Sequence, residues 1–75
     1  MSQTLDSVYL HQVVEIIYFS DNFICSKLIE MSLTKGQKIK AVFKAPFGDP
    51  IAFEHNGHII SMRKEEAKQI EVAVA

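Results

Sequence analysis

The stretch from Ala45 to Arg63 constrains the fold more than any other part of the chain. Near its middle, Asn56-Gly57 lies between two runs that are rich in β-forming residues. Both residues tolerate the positive φ values of a type I′ turn, so they predict a β-hairpin with a two-residue loop. The predicted pairs across this hairpin are His55 with His58, Phe53 with Ile60, and Ile51 with Met62. The apolar members of these pairs then share one face, with the two histidines at its open end.

A more rigid turn precedes the hairpin. Pro46 fixes its own φ at about −65°, Gly48 accepts a left-handed conformation, and Pro50 forces Asp49 to be extended. Proline cannot donate to a strand ladder, so Pro50 is expected to open a strand. The run before the turn, Lys38 to Ala45, alternates in a way that predicts another strand. Its apolar side chains at every second position are Ile39, Ala41 and Phe43.

Length and composition bound the class of protein. Seventy-five residues predict one domain spanning 1–75, because a chain of this length does not divide into two cores. The single cysteine, Cys25, cannot form an internal disulfide, which fits a reducing compartment. A net charge of −1 gives no general attraction to nucleic acid or anionic lipid. No apolar run approaches the ~20 residues that span a bilayer, so a soluble intracellular protein is predicted.

The remaining segments predict further strands and helical turns. Val8 to Phe19 is almost continuously apolar, which predicts a strand covered on both faces and interrupted by a bulge. Ser20-Asp21-Asn22 offers N-caps for a helix from Phe23 to Met31. Arg63 to Gln69 is long enough for one or two helical turns. Ile70 to Val74 alternates again and predicts a closing strand.

Together these segments predict a mainly β fold. About five short strands, one short α-helix and a helical turn before the last strand are typical of a small, partly closed barrel of the SH3-like kind. Closure also hides the strand edges of so short a chain. A split α+β sandwich with the helix on one face is the alternative.

Three segments of the chain resemble the ferrous iron transport protein A (FeoA-type) domain family. They are Lys27 to Gly36, Ala45 to Ile51, and Arg63 to Val72. The Ala-Pro-Phe-Gly-Asp-Pro-Ile run is the most specific, because two prolines, a glycine and an aspartate stand at fixed offsets.

The chain departs from the family pattern at three places. The family usually has glycine where Ser32 stands, and a left-handed serine costs about 1 kcal/mol more than glycine, so this helix is expected to end differently. The family's usual proline-glycine is Lys35-Gly36 here, and its Leu-x-x-Gly turn corresponds to Val8 to Gln12, which has no glycine.

The resemblance implies an SH3-like barrel in the bacterial cytoplasm. It also implies an accessory role to the membrane ferrous iron permease that carries a cytosolic GTPase domain. Similar domains occur at the C-terminus of metal-dependent repressors, so a metal-sensing or metal-delivering domain is the alternative. The chain starts at its own Met1 with no room for a DNA-binding unit, which favours a stand-alone accessory protein.

His55 and His58 are the candidate metal ligands. Directly opposed across the hairpin, their Cβ atoms are expected about 4.5–5.5 Å apart, close enough for two imidazoles to share Fe²⁺ or Zn²⁺. A closed structural site needs about four ligands. The further candidates, which only the fold can bring near, are His11, Cys25, Asp49 and Glu54. The favoured interpretation is therefore that His55 and His58 are polar residues beside a turn. On this interpretation the protein has no resident cofactor and binds metal weakly at most.

Two features are candidate partner surfaces. The flank of the predicted helix and the turn after it combine apolar and basic residues, namely Lys27, Leu28, Met31, Leu33 and Lys35. Phe47, at the tip of the rigid turn, either folds back over the barrel end or docks on a partner.

A basic stripe is predicted on one strand face, formed by Lys38, Lys40 and Lys44. The favoured interpretation is a solvated edge, since lysines discourage edge-to-edge aggregation. An acidic patch on a GTPase domain is the alternative partner. Nucleic acid is disfavoured, because no aromatic residues interleave on that face to stack bases.

The sequence gives no support for catalysis. It has no phosphate-binding loop, no nucleophile with a base at motif spacing and no carboxylate pair in a recognisable cleft. Glu65-Glu66 is interpreted as a solvated surface. A small RNA- or ribosome-associated barrel is a third class of function, which the net charge of −1 disfavours.

Overall fold

Six strands form one antiparallel sheet in the computed structural model, which describes residues 3–19, 26, 28–30 and 33–75. In chain order they are β1 (Gln3–Thr4), β2 (Val13–Phe19), β3 (Lys38–Lys44), β4 (Ile51–His55), β5 (His58–Met62) and β6 (Ile70–Val74). A 3₁₀ turn at Leu5–Ser7, a helical segment that includes residues 26 and 28–30, a tight turn at Pro46–Gly48 and an α-helix at Lys64–Ala67 connect them. The mainly β prediction is confirmed, and the count exceeds the expected five strands because β1 pairs with β6.

The strand order across the sheet is β1-β6-β2-β3-β4-β5. The two ends of this order, β1 and β5, are edges, and within the described ranges no pairing joins them. The barrel is therefore open between these strands. None of the described helices has the length and apolar character needed to cross a membrane.

The β4–β5 hairpin has the predicted register. His55 pairs with His58, Phe53 with Ile60 and Ile51 with Met62. Asn56 and Gly57 have φ values of 50° and 80°, as a type I′ turn requires. Three of the four predicted core-facing side chains are fully buried, and Ile60 packs against them from a partly buried position.

Strand β3 departs from the predicted alternation at its C-terminal end. Its pairing with β4 shifts register between Ala41 and Phe43, so Val42 occupies a β-bulge. The extra residue reverses the alternation. Phe43, predicted to lie with Ile39 and Ala41, is instead 58% exposed.

Strand β2 begins later than predicted and is covered on one face only. Val14, Ile16 and Phe19 are buried, whereas Val13 and Tyr18 on the other face are exposed. The prediction of two covered faces is wrong, because the described residues place no second layer over this side of the sheet. The predicted bulge is confirmed, since the pairing with β6 shifts between Ile16 and Tyr18.

A short helical segment and a turn cover the core between β2 and β3. Ser26 and residues 28–30 are helical, as predicted. The Leu33 N–H donates to the Leu28 carbonyl (2.8 Å), which ties the turn to the helical segment. Ser32 lies outside the described residues, as do the predicted N-caps and Cys25.

Candidate functional site

The turn between β3 and β4 is closed by two backbone hydrogen bonds. The Gly48 N–H donates to the Ala45 carbonyl (2.7 Å), and the Ala45 N–H donates to the Pro50 carbonyl (3.0 Å). Gly48 is left-handed with φ of 76°, and Asp49 is extended, as the sequence predicts. Pro50 immediately precedes β4, and the Asp49–Pro50 peptide bond is cis. The turn therefore has a defined backbone conformation.

Asp49 joins this turn to the helix that follows β5. Its Oδ1 accepts a hydrogen bond from the Lys64 N–H (3.0 Å), and its Oδ2 lies 3.5 Å from Nη2 of Arg63. The first N–H groups of a helix have no partner within the helix, and a carboxylate beside them is stabilising. Asp49 thus performs the capping that is normally done by the residue before the helix.

The sequence contains a weak signal for this contact. Arg63 stands at the N-cap position of the Lys64–Ala67 helix, and arginine is not among the residues preferred there. A helix start without a local cap needs an acceptor from elsewhere in the chain. The Arg63 N–H is satisfied locally by Oε1 of Glu66 (3.0 Å), whereas the Lys64 N–H takes its acceptor from Asp49.

Phe47 stands at the tip of this turn and is fully exposed. The alternative in which it folds back over the end of the barrel does not occur. Its backbone is left-handed, with φ of 70° and ψ of 8°. For a bulky residue other than glycine this conformation costs about 1–2 kcal/mol. The Phe47 ring makes no apolar contact that shields it from solvent, although its backbone is strained. Such a ring is available as an apolar anchor for another molecule.

Two basic side chains stand near the turn, and one of them, Arg63, is paired with Asp49. Arg63 has a side chain that is largely exposed, and Lys44 directly precedes Ala45. The three lysines of β3 do not share one face, because the bulge at Val42 places Lys44 on the side of its partner Ile51. Lys40 is paired with Glu54 (3.4 Å), on the outer face of the sheet. The predicted basic stripe is therefore broken.

The helix flank has fewer side chains accessible to a partner than the sequence predicts. Leu28 and Leu33 are fully buried, so neither is accessible to a partner in the folded protein. The exposed apolar residue of this segment is Ile29, which sequence reasoning missed. Nζ of Lys35 lies 5.5 Å from the centroid of the Tyr18 ring, a cation–π contact on the surface. Lys27 and Met31 lie outside the described residues.

His55 and His58 are brought together as a directly opposed pair, but their environments differ. His55 is 5% exposed, and its Nδ1 lies 3.2 Å from the Lys38 carbonyl oxygen, to which it must donate. Its Nε2 then accepts from Nδ2 of Asn56 (3.3 Å). Both ring nitrogens of His55 are therefore engaged, whereas His58 is exposed.

Among the described residues, the other candidate ligands do not join this pair, and Cys25 lies outside the described residues. Within the described part of the chain, no three His, Cys, Asp or Glu side chains are grouped to hold a metal ion. Asp49 contacts Arg63 and Lys64, and Glu54 pairs with Lys40. Weak metal binding at His55 and His58 stays a prediction.

Comparison with known families and structures places these features in context. Residues 3–74 match the model of the FeoA domain. A search of curated proteins found no match. A FeoA-like protein from Clostridium acetobutylicum, solved by NMR, is 35% identical, with a TM-score of 0.88 over 97% of this chain and 86% of that one.

Two further structures support the fold. FeoA from Stenotrophomonas maltophilia is 26% identical, with a TM-score of 0.81 over 95% of this chain and 89% of that one. It was crystallised with zinc and is described as an SH3 domain protein possibly acting as a ferrous iron transport activating factor. A manganese-dependent transcriptional repressor, 10% identical, gives a TM-score of 0.87 over 99% of this chain and 42% of that one. The SH3-like prediction is confirmed.

Proposed function

Because the chain belongs to the FeoA domain family, we propose that it is an accessory protein of bacterial ferrous iron uptake. Its partner in this proposal is the cytosolic GTPase domain of a membrane ferrous iron permease. The protein acts in the cytoplasm and by binding, without chemistry of its own. The relative from S. maltophilia, described as a possible transport activating factor, supports the same role.

Phe47 is the observation that carries the proposal. Its ring is fully exposed, its backbone is held in a costly left-handed conformation, and the turn beneath it is fixed by Asp49. A rigid aromatic anchor loses little conformational freedom on binding, so most of the apolar area that it buries contributes to affinity. Phe47 therefore inserts into an apolar pocket on the GTPase domain.

The charges around Phe47 specify the rim of that pocket. Arg63 and Lys44 provide positive charge near the turn, so an acidic rim on the partner is complementary. Charges at the rim of an interface chiefly accelerate encounter, and their effect weakens as salt rises. A single anchor with a charged rim suits a transient complex.

The test is a binding titration against the full-length permease in lipid nanodiscs, with and without GTP, and with empty nanodiscs as the control. Phe47→Gly removes the ring and should weaken binding at least about tenfold while folding is retained. Phe47→Tyr keeps the ring and should bind within a few-fold of wild type. Ile29→Gln tests the helix flank and should bind like wild type.

Two outcomes contradict the proposal in different ways. If wild-type protein does not bind the permease with or without nucleotide, the permease is not its direct partner. If Phe47→Gly binds normally and Ile29→Gln does not, the partner is right and the helix flank is the contact surface. The charge reversals Lys27→Glu and Lys35→Glu then extend the test along that flank.

A transition-metal-binding domain is the second candidate. The zinc in the S. maltophilia structure and the opposed histidines of this chain both favour it. The two hydrogen bonds of the His55 ring weigh against it, because a metal must replace one of them. The accessory role is therefore the better supported function.

A further inference from the structure

Strand β5 has a free edge that the proposed function does not use. It pairs with β4 on one side, and no described strand pairs with it on the other. Its five residues, His58–Met62, run without a register shift. Ile59 is 63% exposed, and Ser61 is exposed beside it.

The register determines which backbone groups face this edge. In a hairpin with a two-residue loop, the residues that flank the loop exchange both of their hydrogen bonds, and such pairs alternate along the ladder. His58, Ile60 and Met62 therefore bond to β4. The N–H and C=O groups of Ile59 and Ser61 point away from β4, where an added strand can accept and donate.

Within its own five residues, β5 lacks the sequence features that usually discourage strand pairing. Natural edge strands are blunted by lysine, by proline, by a bulge or by being very short. The segment His58–Met62 contains no lysine, proline or bulge. The opposite edge of the sheet is different, since β1 has only two residues.

We propose that the β5 edge binds the β5 edge of a second copy of this chain, antiparallel and about a two-fold axis at Ile60. In this register Ile59 of each copy faces Ser61 of the other, and the two residues exchange both of their hydrogen bonds. His58 faces Met62 of the second copy. The two sheets become one continuous sheet, and the backbone groups of Ile59 and Ser61 are satisfied in both copies.

The charge distribution favours a second copy as the occupant. The strand itself has no Asp, Glu, Lys or Arg, and Arg63 faces the uncharged Gly57 of the second copy in this register. No like charges are directly opposed, which is the arrangement that destabilises cross-strand pairs. The net charge of −1 means that two copies repel each other only weakly.

The experiment is sedimentation equilibrium of the purified chain from micromolar to millimolar concentration, together with amide NMR shifts over the same range. We expect a monomer–dimer equilibrium, with concentration-dependent shifts centred on Ile59 and Ser61. Ser61→Lys and Ser61→Glu each place like charges diagonally across the axis and should weaken the dimer at least about tenfold. Mixing the two variants makes these charges opposite and should restore dimerisation.

A matched control adds the same charge elsewhere. Thr34→Lys changes an exposed turn residue outside the sheet and should leave the dimer unchanged. A chain that remains monomeric at millimolar concentration overturns the proposal. So does self-association that survives both Ser61 variants, or a mixture that associates no better than either variant alone. Protection of Ile59 and Ser61 only after permease is added would assign the edge to an extended segment of that protein instead.

Discussion

The two turns that bound strand β4 hold positive φ values by opposite means. At its C-terminal end, Asn56 and Gly57 adopt φ of 50° and 80°, and both residue types accept this conformation readily. At its N-terminal end, Phe47 and Gly48 adopt φ of 70° and 76°, and the first of these is a bulky aromatic residue. The first turn follows local preference, and the second opposes it.

This difference separates a turn that the fold explains by itself from one that it does not. The Asn56-Gly57 turn fixes the hairpin register, and its residues are explained by that role alone. The Phe47 turn is closed by two backbone bonds, and its Asp49 accepts from the Lys64 N–H outside the turn, while it holds a residue that prefers another conformation. Local strain that the surrounding structure enforces is typical of binding sites.

Breaking the favourable turn should have the largest effect on stability. A Cβ added at Gly57 meets no atom within 4 Å, so substitution there costs backbone strain without a clash. Gly57→Val should lower the free energy of unfolding by about 2 kcal/mol, because a β-branched residue resists positive φ. Gly57→Asn, the matched control, should cost less than half as much. Chemical denaturation measures both, and a valine variant as stable as wild type would contradict the role of this turn.

Removing the contact between the Phe47 turn and the helix should have a smaller effect on stability. Asp49→Ala removes the acceptor for the Lys64 N–H and should lower the free energy of unfolding by about 1 kcal/mol. Asp49→Asn retains an acceptor oxygen and loses the negative charge, with its pair to Arg63 and its attraction to the helix N-terminus, so it should cost about half a kcal/mol. Denaturation curves for both variants give the comparison. Equal losses would show that the charge of Asp49, and not its hydrogen bond to the Lys64 N–H, carries the effect.

Relieving the strain itself should change stability slightly, in the opposite direction. Phe47→Gly removes about 1–2 kcal/mol of backbone strain, and it loses no buried apolar area because the ring is exposed. Glycine also makes the unfolded chain more flexible, which offsets about 0.4–1 kcal/mol of this gain. We expect a variant that is as stable as wild type or up to about 1 kcal/mol more stable. A clear loss of stability would mean that the ring supports the fold.

Removing metal should have the smallest effect. The described residues supply two opposed histidines and no further ligand, so a chelator-treated protein should unfold at the same midpoint as untreated protein. Any weak binding of Fe²⁺, Zn²⁺ or Co²⁺, measured by calorimetry, should disappear in His55→Ala/His58→Ala. A drop in the midpoint on chelation would favour the metal-binding candidate.

The parts of the fold that depend on adjacent residues were predictable. The hairpin register followed from Asn56-Gly57 and from alternation, and both signals lie within the segment that they describe. The exposure of Phe43 was not predictable in this way. It depends on a bulge at Val42 that forms against β4, and alternation along β3 alone gives no sign of the extra residue.

The candidate site was predictable only in part. Proline and glycine showed a rigid turn with Phe47 at its tip, but they did not show which way the ring points or that its own φ is positive. Spacing predicts that Leu28 lies on an apolar stripe, but the complete burial of Leu28 and Leu33 depends on how the helix meets the sheet. The contact between Asp49 and Lys64 spans 15 residues, beyond any local pattern.

That contact also couples recognition to folding. The hydrogen bond from Lys64 to Asp49 encloses the whole of β4 and β5, so the turn that presents Phe47 is anchored only when the hairpin and the helix after it are formed. A partner that binds the anchored turn must then stabilise this entire loop by mass action, although it touches only the tip. Slower hydrogen exchange of the Lys64 amide would therefore report that a partner is bound at Phe47, although this amide is remote from the ring.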